Sequence, residues 1–182
     1  AVAPLYQTAT NEWVLELFHG PAGVYQDFGL QLMSRLVEYS LLKFGKKALV
    51  VGCTGGDTGA AAIKAFNGME SVTVIVLHPS RGITEEHRRR LLGAAEENVV
   101  NILVEGDYAD CHQLCEKFHR GINETGQQLI SFNSVNWVRV LAHLSFYFYS
   151  SLQLGAPERE VAFSVPTGNF GALYAGYIAR EM

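Results

Sequence analysis

The sequence predicts an α/β fold in which a parallel sheet carries helices on both faces. Three observations support this. Ala48-Leu49-Val50-Val51, Val72 to Leu77 and Val99 to Val104 are short, continuous apolar runs, the mark of strands covered on both sides. The segments between them repeat apolar residues at helical spacing. Glycine, asparagine and proline punctuate the two kinds at short intervals, and strand–helix alternation of this sort builds parallel sheets.

In chain order, residues 1–26 read as an irregular opening. Asp27 to about Phe44 places Phe28, Leu32, Leu36, Tyr39 and Leu42 at helical spacing, and Gly45-Lys46-Lys47 stops it. The first strand follows, then an alanine-rich helix from Thr58 to Phe66 that ends near Asn67-Gly68. Pro79 closes the second strand. Thr84 to about Glu96 is a polar-faced helix; Thr84 is its candidate cap, although His87 stands where a capping box needs Glu or Gln. After the third strand, Asp107 to Ile122 carries a stripe of Cys111, Leu114, Cys115, Phe118 and Ile122. Val135 to Leu154 is a long aromatic helix, and Val161 to Val165 a last strand leading into a glycine turn and a helical start. No internal repeat interrupts the pattern.

The 182 residues are 48% hydrophobic and 18% charged, an ordinary globular composition. A chain of this length buries about two-thirds of its unfolded surface, so it needs no disulfide or metal staple. Formal charge is −4 without an acidic or basic tail. The one dense basic run, His87-Arg88-Arg89-Arg90, is flanked by Glu85 and Glu86 and reads as a solvated helix face. That argues against a nucleic-acid partner. Three cysteines give no disulfide framework, and no stretch of about eighteen apolar residues marks a membrane span. The start, Ala1-Val2-Ala3-Pro4, carries no charged leader or signal core. The expectation is a chain excised from a longer one, in a reducing cytoplasmic setting.

Four constellations carry candidate chemistry. Gly52-Cys53-Thr54-Gly55-Gly56-Asp57-Thr58-Gly59 follows a buried strand and opens a helix. Free backbone N–H groups and the positive helix end favour an anion there; the alternative is a tight turn with Asp57 or Thr58 as N-cap. It is no dinucleotide fingerprint, because the next strand ends on His78 without an acid for a ribose. Pro166-Thr167-Gly168-Asn169-Phe170-Gly171 is a second turn of the same kind. Two glycine turns at the carboxyl ends of parallel strands suit a phosphate-bearing ligand. In Asn133-Ser134-Val135-Asn136-Trp137-Val138-Arg139, Arg139 falls off the stripe of Leu141, Leu144 and Phe148 and is expected to face solvent or a cleft. There it is a phosphate or carboxylate clamp, or a plain surface arginine behind an Asn133 or Ser134 cap. Cys111, His112, Cys115 and His119 suggest a metal, but Cys111 and His119 lie roughly 12 Å apart along one helix, and both cysteines fall on the apolar stripe as buried small residues. His19 beside Gly20-Pro21 is a lone histidine.

Together these segments resemble the threonine synthase family in order and spacing. Leu15-Glu16-Leu17-Phe18-His19-Gly20-Pro21 is similar to its leading motif, and Val24-Tyr25-Gln26-Asp27-Phe28 stands at its aromatic-Lys-Asp-aromatic cofactor motif. Thr54-Gly55-Gly56-Asp57-Thr58-Gly59 resembles the loop that holds the substrate carboxylate. Asn133-Ser134-Val135-Asn136-Trp137-Val138-Arg139 looks like the Asn-Ser-Ile-Asn-Trp-x-Arg signature, and Ser164 to Gly171 the cofactor-phosphate loop. The resemblance implies a fold-type II pyridoxal-phosphate enzyme with two α/β domains. Residues 1–26 would lead in from the larger domain, 27–155 form the smaller one, and 156–182 return to the larger. It implies pyridoxal phosphate at Gly168, Asn169, Phe170 and Gly171. Substrate would lie at Thr54, Gly56, Asp57, Thr58, Asn133, Asn136 and Arg139. The expected ligand is a small phosphorylated amino acid or phosphate, and the expected assembly a homodimer or a pairing with a missing half.

The departures point elsewhere. Gln26 stands at the place of the imine-forming lysine, and an amide is neither nucleophilic nor basic. Gly55 replaces a serine, Ala22 a threonine, and Ala172 follows the phosphate loop where an amide or acid is usual. The expectation is a chain that makes no threonine by itself, with a small-phosphate-binding or protein-contact module as the alternative.

Overall fold

The computed structural model describes residues 2–93, 97–122, 128–166 and 168–182. It opens with a hairpin, β1 (Leu5–Ala9) and β2 (Glu12–Leu15), followed by α1 (Gln26–Phe44), β3 (Ala48–Cys53), α2 (Asp57–Phe66) and β4 (Val72–Pro79). Then come α3 (Glu85–Leu92), β5 (Val99–Val104), α4 (Tyr108–Ile122), β6 (Gln128–Ser131), α5 (Trp137–Gln153) and α6 (Gly171–Glu181). The four strands β5-β4-β3-β6 form one sheet, parallel throughout.

Period two along the strands sorts the core into two layers. Val50 of β3 and Val72, Val74 and Val76 of β4 meet Leu30 and Met33 of α1, Ile63 and Phe66 of α2 and Leu91 of α3. The alternate positions Val51, Cys53 and Leu77 meet Cys111 and Cys115 of α4 on the opposite face. Helices therefore cover both faces, and the continuous valine runs follow from that double burial. Cys111 and Cys115 are buried, as their place on the α4 stripe predicted, and all three cysteines are free. A third cluster, Val140, Leu144 and Tyr147 of α5 with Ala175 of α6, stands apart from the sheet.

Several expectations are corrected. The opening is an antiparallel hairpin, because Asn11 at φ +60° turns the chain sharply between two short strands. β6, unpredicted, pairs with β3 from Ala48↔Gln128 to Val51↔Ser131. Its four residues carry too short a run to announce a strand. Val161 to Val165, expected to be a strand, forms no regular element and pairs with no described strand. The stripe Leu32, Leu36, Tyr39 and Leu42 faces outward, with Tyr39 68% exposed; Leu30, Met33, Val37 and Leu41 face the sheet instead. Both sets satisfy helical spacing, and only packing chooses between them. Likewise Leu141 and Phe148 of α5 are exposed while Leu144 is buried. Leu114 of α4 is also exposed, and the side chain of Ile122 lies outside the described residues. Thr84 does cap α3, its Oγ1 accepting the His87 N–H at 3.2 Å, and the expected end at Glu96 lies outside the described residues. No described helix is long and apolar enough to cross a membrane.

Candidate functional site

The carboxyl end of β3 is clamped by one side chain. Asn133 Nδ2 donates to the Cys53 carbonyl at 2.7 Å, and Asn133 Oδ1 accepts the Cys53 N–H at 3.0 Å. These two bonds continue the β3–β6 ladder beyond its last residue pair. A Cβ at Gly52 would lie 2.6 Å from Asn133 Oδ1 and from the Phe132 ring, so the clamp demands glycine there.

The next residue shapes the turn. Thr54, 2% exposed, accepts the N–H groups of Gly56 and Gly59 at its Oγ1, each at 2.9 Å. This replaces the cap expected from Asp57 or Thr58: the cap position is Gly56, at φ +143°, with no side-chain cap bond. The first-turn amides of Asp57 and Thr58 have no intrahelical acceptor. A hollow of about 210 Å³, lined by Thr54, Gly55, Gly56, Asp57, Thr58 and His87, opens over them. Asp57 Oδ1 lies 3.4 Å from His87 Nε2 and 3.6 Å from Arg90 Nη1. Half of the basic run thus leans on the loop, while Arg89, 79% exposed, is solvated as expected. Backbone donors with a positive helix end suit a carboxylate or phosphate oxygen.

The second asparagine of the signature caps α5. Asn136 Oδ1 accepts the Val138 N–H at 3.0 Å and its Nδ2 donates to the Ser131 carbonyl at 2.9 Å. The cap is therefore neither Asn133 nor Ser134. Arg139 corrects the expectation of exposure. It is 3% exposed, its Nη1 donates to the Phe132 carbonyl at 3.3 Å, and its Nε has no hydrogen-bond partner among the described residues. Gly29 is the reason. A Cβ there would come 3.3 Å from Arg139 Cα, so the glycine lets α1 and α5 close over the guanidinium. Burial pushes the arginine pKa below its ordinary value.

The second glycine turn joins the same edge. Asn169 Nδ2 donates to Ser134 Oγ at 3.3 Å, and Asn169 Oδ1 accepts the Gly171 N–H at 3.3 Å. Phe170, at φ +59°, passes the chain into α6, its carbonyl accepting the Tyr174 N–H at 2.8 Å. A Cβ at Gly168 would meet no atom within 4 Å, so the turn is open on that side. Thr167 lies outside the described residues. Cys53, Asn133, Ser134 and Asn169 link the three motifs in one chain of contacts.

Gln26 begins α1, 9% exposed, with its Oε1 unpartnered among the described residues. Among the described residues no hydrogen bond joins it to the two glycine turns. The neighbouring Asp27 is the residue sequence reasoning missed. Its Oδ2 accepts the N–H groups of Ala22 at 3.0 Å and Val24 at 3.2 Å, and a side chain at Gly20 would overlap it. An acid in the first turn of a helix was the available signal. His19 is exposed and pairs with Glu16 at 2.7 Å. Cys115 Sγ approaches His119 Nδ1 at 3.6 Å within α4. The pyridoxal-phosphate reading fits only in part. An open glycine turn at a helix start suits a phosphate, whereas the Gln26 amide has no amine to hold an aldehyde covalently.

No protein-family model matches the chain. Threonine synthase from Pseudomonas aeruginosa is 46% identical over all of this chain and 39% of its own length. The crystal structure of pyridoxal-phosphate-bound threonine synthase from Brucella melitensis superposes with a TM-score of 0.83 at 39% identity, covering 99% of this chain and 39% of that one. Threonine synthase from Escherichia coli gives a TM-score of 0.85 at 33% identity, covering 98% of this chain and 41% of that one. Along its whole length the chain is similar in sequence and in fold to the threonine synthases, fold-type II enzymes whose family cofactor is pyridoxal phosphate, and it spans about two-fifths of those relatives' length.

Proposed function

We propose that this chain is a catalytically silent threonine-synthase-like module that keeps non-covalent binding of a small phosphate compound. The family reaction converts O-phosphohomoserine to threonine and phosphate. It needs an amine at position 26 to hold the cofactor and to shuttle protons. Gln26 carries this reading: it is a buried amide at the start of α1. Proton transfer by a positioned side chain is worth ~10²–10⁴-fold, and an amide supplies none of it. The turn from Gly168 to Gly171 would take the phosphate group. The amides of Asp57 and Thr58 would take a carboxylate. Asn133, Asn136 and Thr54 would hold those turns in shape. Pyridoxal phosphate bound here would supply an electron sink, and this chain's residues would orient it without anchoring it. The buried free cysteines favour a reducing, cytoplasmic setting.

The test is titration of the chain with pyridoxal phosphate, read by absorbance and melting temperature, with inorganic phosphate as competitor. Expected is saturable binding that phosphate competes away, with no imine band. The Gln26→Lys variant should gain that band. Threonine release from O-phosphohomoserine by the unaltered chain would sink the proposal.

A second reading rests on one observation. The outer stripe of α1 exposes Leu32 (38%), Leu36 (47%), Tyr39 (68%) and Leu42 (70%), an apolar surface suited to protein contact. A second copy of the chain is the occupant expected from the family resemblance. Sedimentation velocity checks it: Leu36→Glu and Tyr39→Glu together should turn a dimer into a monomer, and a monomeric parent chain ends the idea.

A further inference from the structure

We infer that Cys53 and Cys115 form a peroxide-reactive thiol pair, which a hydroperoxide joins reversibly into a disulfide between the carboxyl end of β3 and α4. Cys53, Cys111 and Cys115 are all free and buried, and they pack in one cluster with Val51 and Leu77. Neither sulfur is among the groups assigned above to phosphate or carboxylate, so the pair stands or falls independently of that reading.

The three thiols are not equivalent. The Cys53 sulfur lies within hydrogen-bonding reach of the Cys115 thiol and of the Tyr108 hydroxyl. Cys111 stands one turn before Cys115 on the same face of α4. Burial and the Cys53 charge push its pKa up to about 11, which leaves it a thiol. At Cys53 the bond from Cys115 outweighs burial, and with the Tyr108 hydroxyl and the His112 charge it brings the pKa down to about 6. That same bond, together with burial, pushes Cys115 up. One thiolate and one thiol thus lie side by side, the arrangement of an attacking and a resolving cysteine.

The chemistry follows in two steps. The Cys53 thiolate attacks the O–O bond of the hydroperoxide: an S–O bond forms, the O–O bond breaks, and sulfur gives up the two electrons that reduce the peroxide. The leaving oxygen takes up the proton that Cys53 had released to solvent and departs as water or an alcohol. The Cys115 sulfur then bonds to Cys53, and the hydroxyl leaves as water with the Cys115 proton. Access is short. Tyr108 is 48% exposed, so one side chain separates the Cys53 sulfur from solvent, and its rotation admits a molecule near the size of water. Asn133 holds Cys53 at both backbone groups, so α4 is the element drawn in as the sulfurs close to about 2.05 Å. Disulfides in reducing compartments are usually transient and redox-sensing, and a reversible pair fits that use.

The experiment treats the fully reduced chain with hydrogen peroxide near neutral pH, then counts free thiols after denaturation and maps linked peptides by mass spectrometry. Expected is a fall from three free thiols to one, a Cys53–Cys115 linkage within a single chain, and full recovery with dithiothreitol. Cys111→Ala should keep the cross-link, and Cys53→Ala or Cys115→Ala should abolish it. The Cys115→Ala variant should instead collect a sulfenic acid at Cys53, labelled by a cyclic diketone, which guards against a Cys53 variant that fails to fold. Persistence of three thiols in the folded chain, under peroxide that oxidises the urea-unfolded chain, overturns the inference. A disulfide that involves Cys111 or joins two chains overturns it, as does a diketone label at Cys111 instead of Cys53. Sulfonic acid at Cys53 without any cross-link has the same effect.

Discussion

The two glycine turns look alike in sequence and are built differently. The turn from Thr54 to Gly59 grows out of a fully covered strand. Its preceding residue is clamped at both backbone atoms by Asn133, its first hydroxyl takes two N–H groups, and Gly52 and Gly59 are glycines because neighbouring atoms fill the space a Cβ would need. The turn from Gly168 to Gly171 follows a segment that forms no regular element and pairs with no described strand, and it is largely exposed. Asn169 ties it to Ser134 through an exposed side-chain bond. One turn is part of the core's geometry, whereas the other lies at the surface. A glycine pattern alone reports that the backbone turns sharply, and says nothing of what enforces the turn.

Substitutions can break that contrast. Gly52→Ala forces the Asn133 clamp and the Phe132 ring apart and should cost about 3 kcal/mol, the upper range for overpacking; a melting curve with little change supports a softer clamp than described. Acid should act nearly as strongly at α5. The His143 pKa falls from the ordinary 6.5 to about 4, so the unfolded chain binds more protons between those values. Stability is then complete above pH 6.5 and is lost as the pH falls toward 4, by about 3 kcal/mol. His78, 2% exposed and likewise shifted down by burial, acts in the same direction. Urea titrations at a series of pH values, with His143→Phe as reference, isolate its share: the variant should lose that part of the acid dependence.

Smaller effects grade the two turns. Thr54→Val strands two buried N–H groups and should cost about 2 kcal/mol, visible as a lower urea midpoint. Asn136→Ala removes the α5 cap and should cost about 1 kcal/mol. Asn169→Ala, at an exposed bond, should change stability by less than ~0.5 kcal/mol while weakening phosphate binding. Equal destabilisation by Thr54→Val and Asn169→Ala would erase the distinction between the turns.

Much of the fold was legible because its signals are local. Valine runs at 48–51, 72–77 and 99–104 mark doubly covered strands wherever they sit in the chain. The stops at Gly45 and Pro79 and the Thr84 cap act within three residues. β6 escaped because its four residues read as strand only once β3 lies beside them. Val161 to Val165 erred the opposite way: it has strand composition, but a strand is defined by a neighbour, and no described strand meets it. The marked residues of the first turn and the asparagine signature meet at the carboxyl end of β3, a meeting that no local signal announced. Asn133, Asn136 and Thr54 were marked as substrate residues through resemblance, yet their side-chain bonds hold backbone. Arg139 was expected outside because helical spacing cannot tell that Gly29 on a distant segment lets another helix cover it.

By itself the sequence determined the class of fold, the order of its layers and the chemistry missing at position 26. Composition and period decide which segments must be buried, and no tertiary contact can make an amide nucleophilic. Tertiary structure alone decided which apolar face of α1 meets the sheet, where the Arg139 charge is buried, and which polar atoms are left without partners. Those outcomes depend on pairs of residues far apart in the chain, as Gly29 and Arg139 are, and the energy of such a pair exists only once the chain has closed the loop between them.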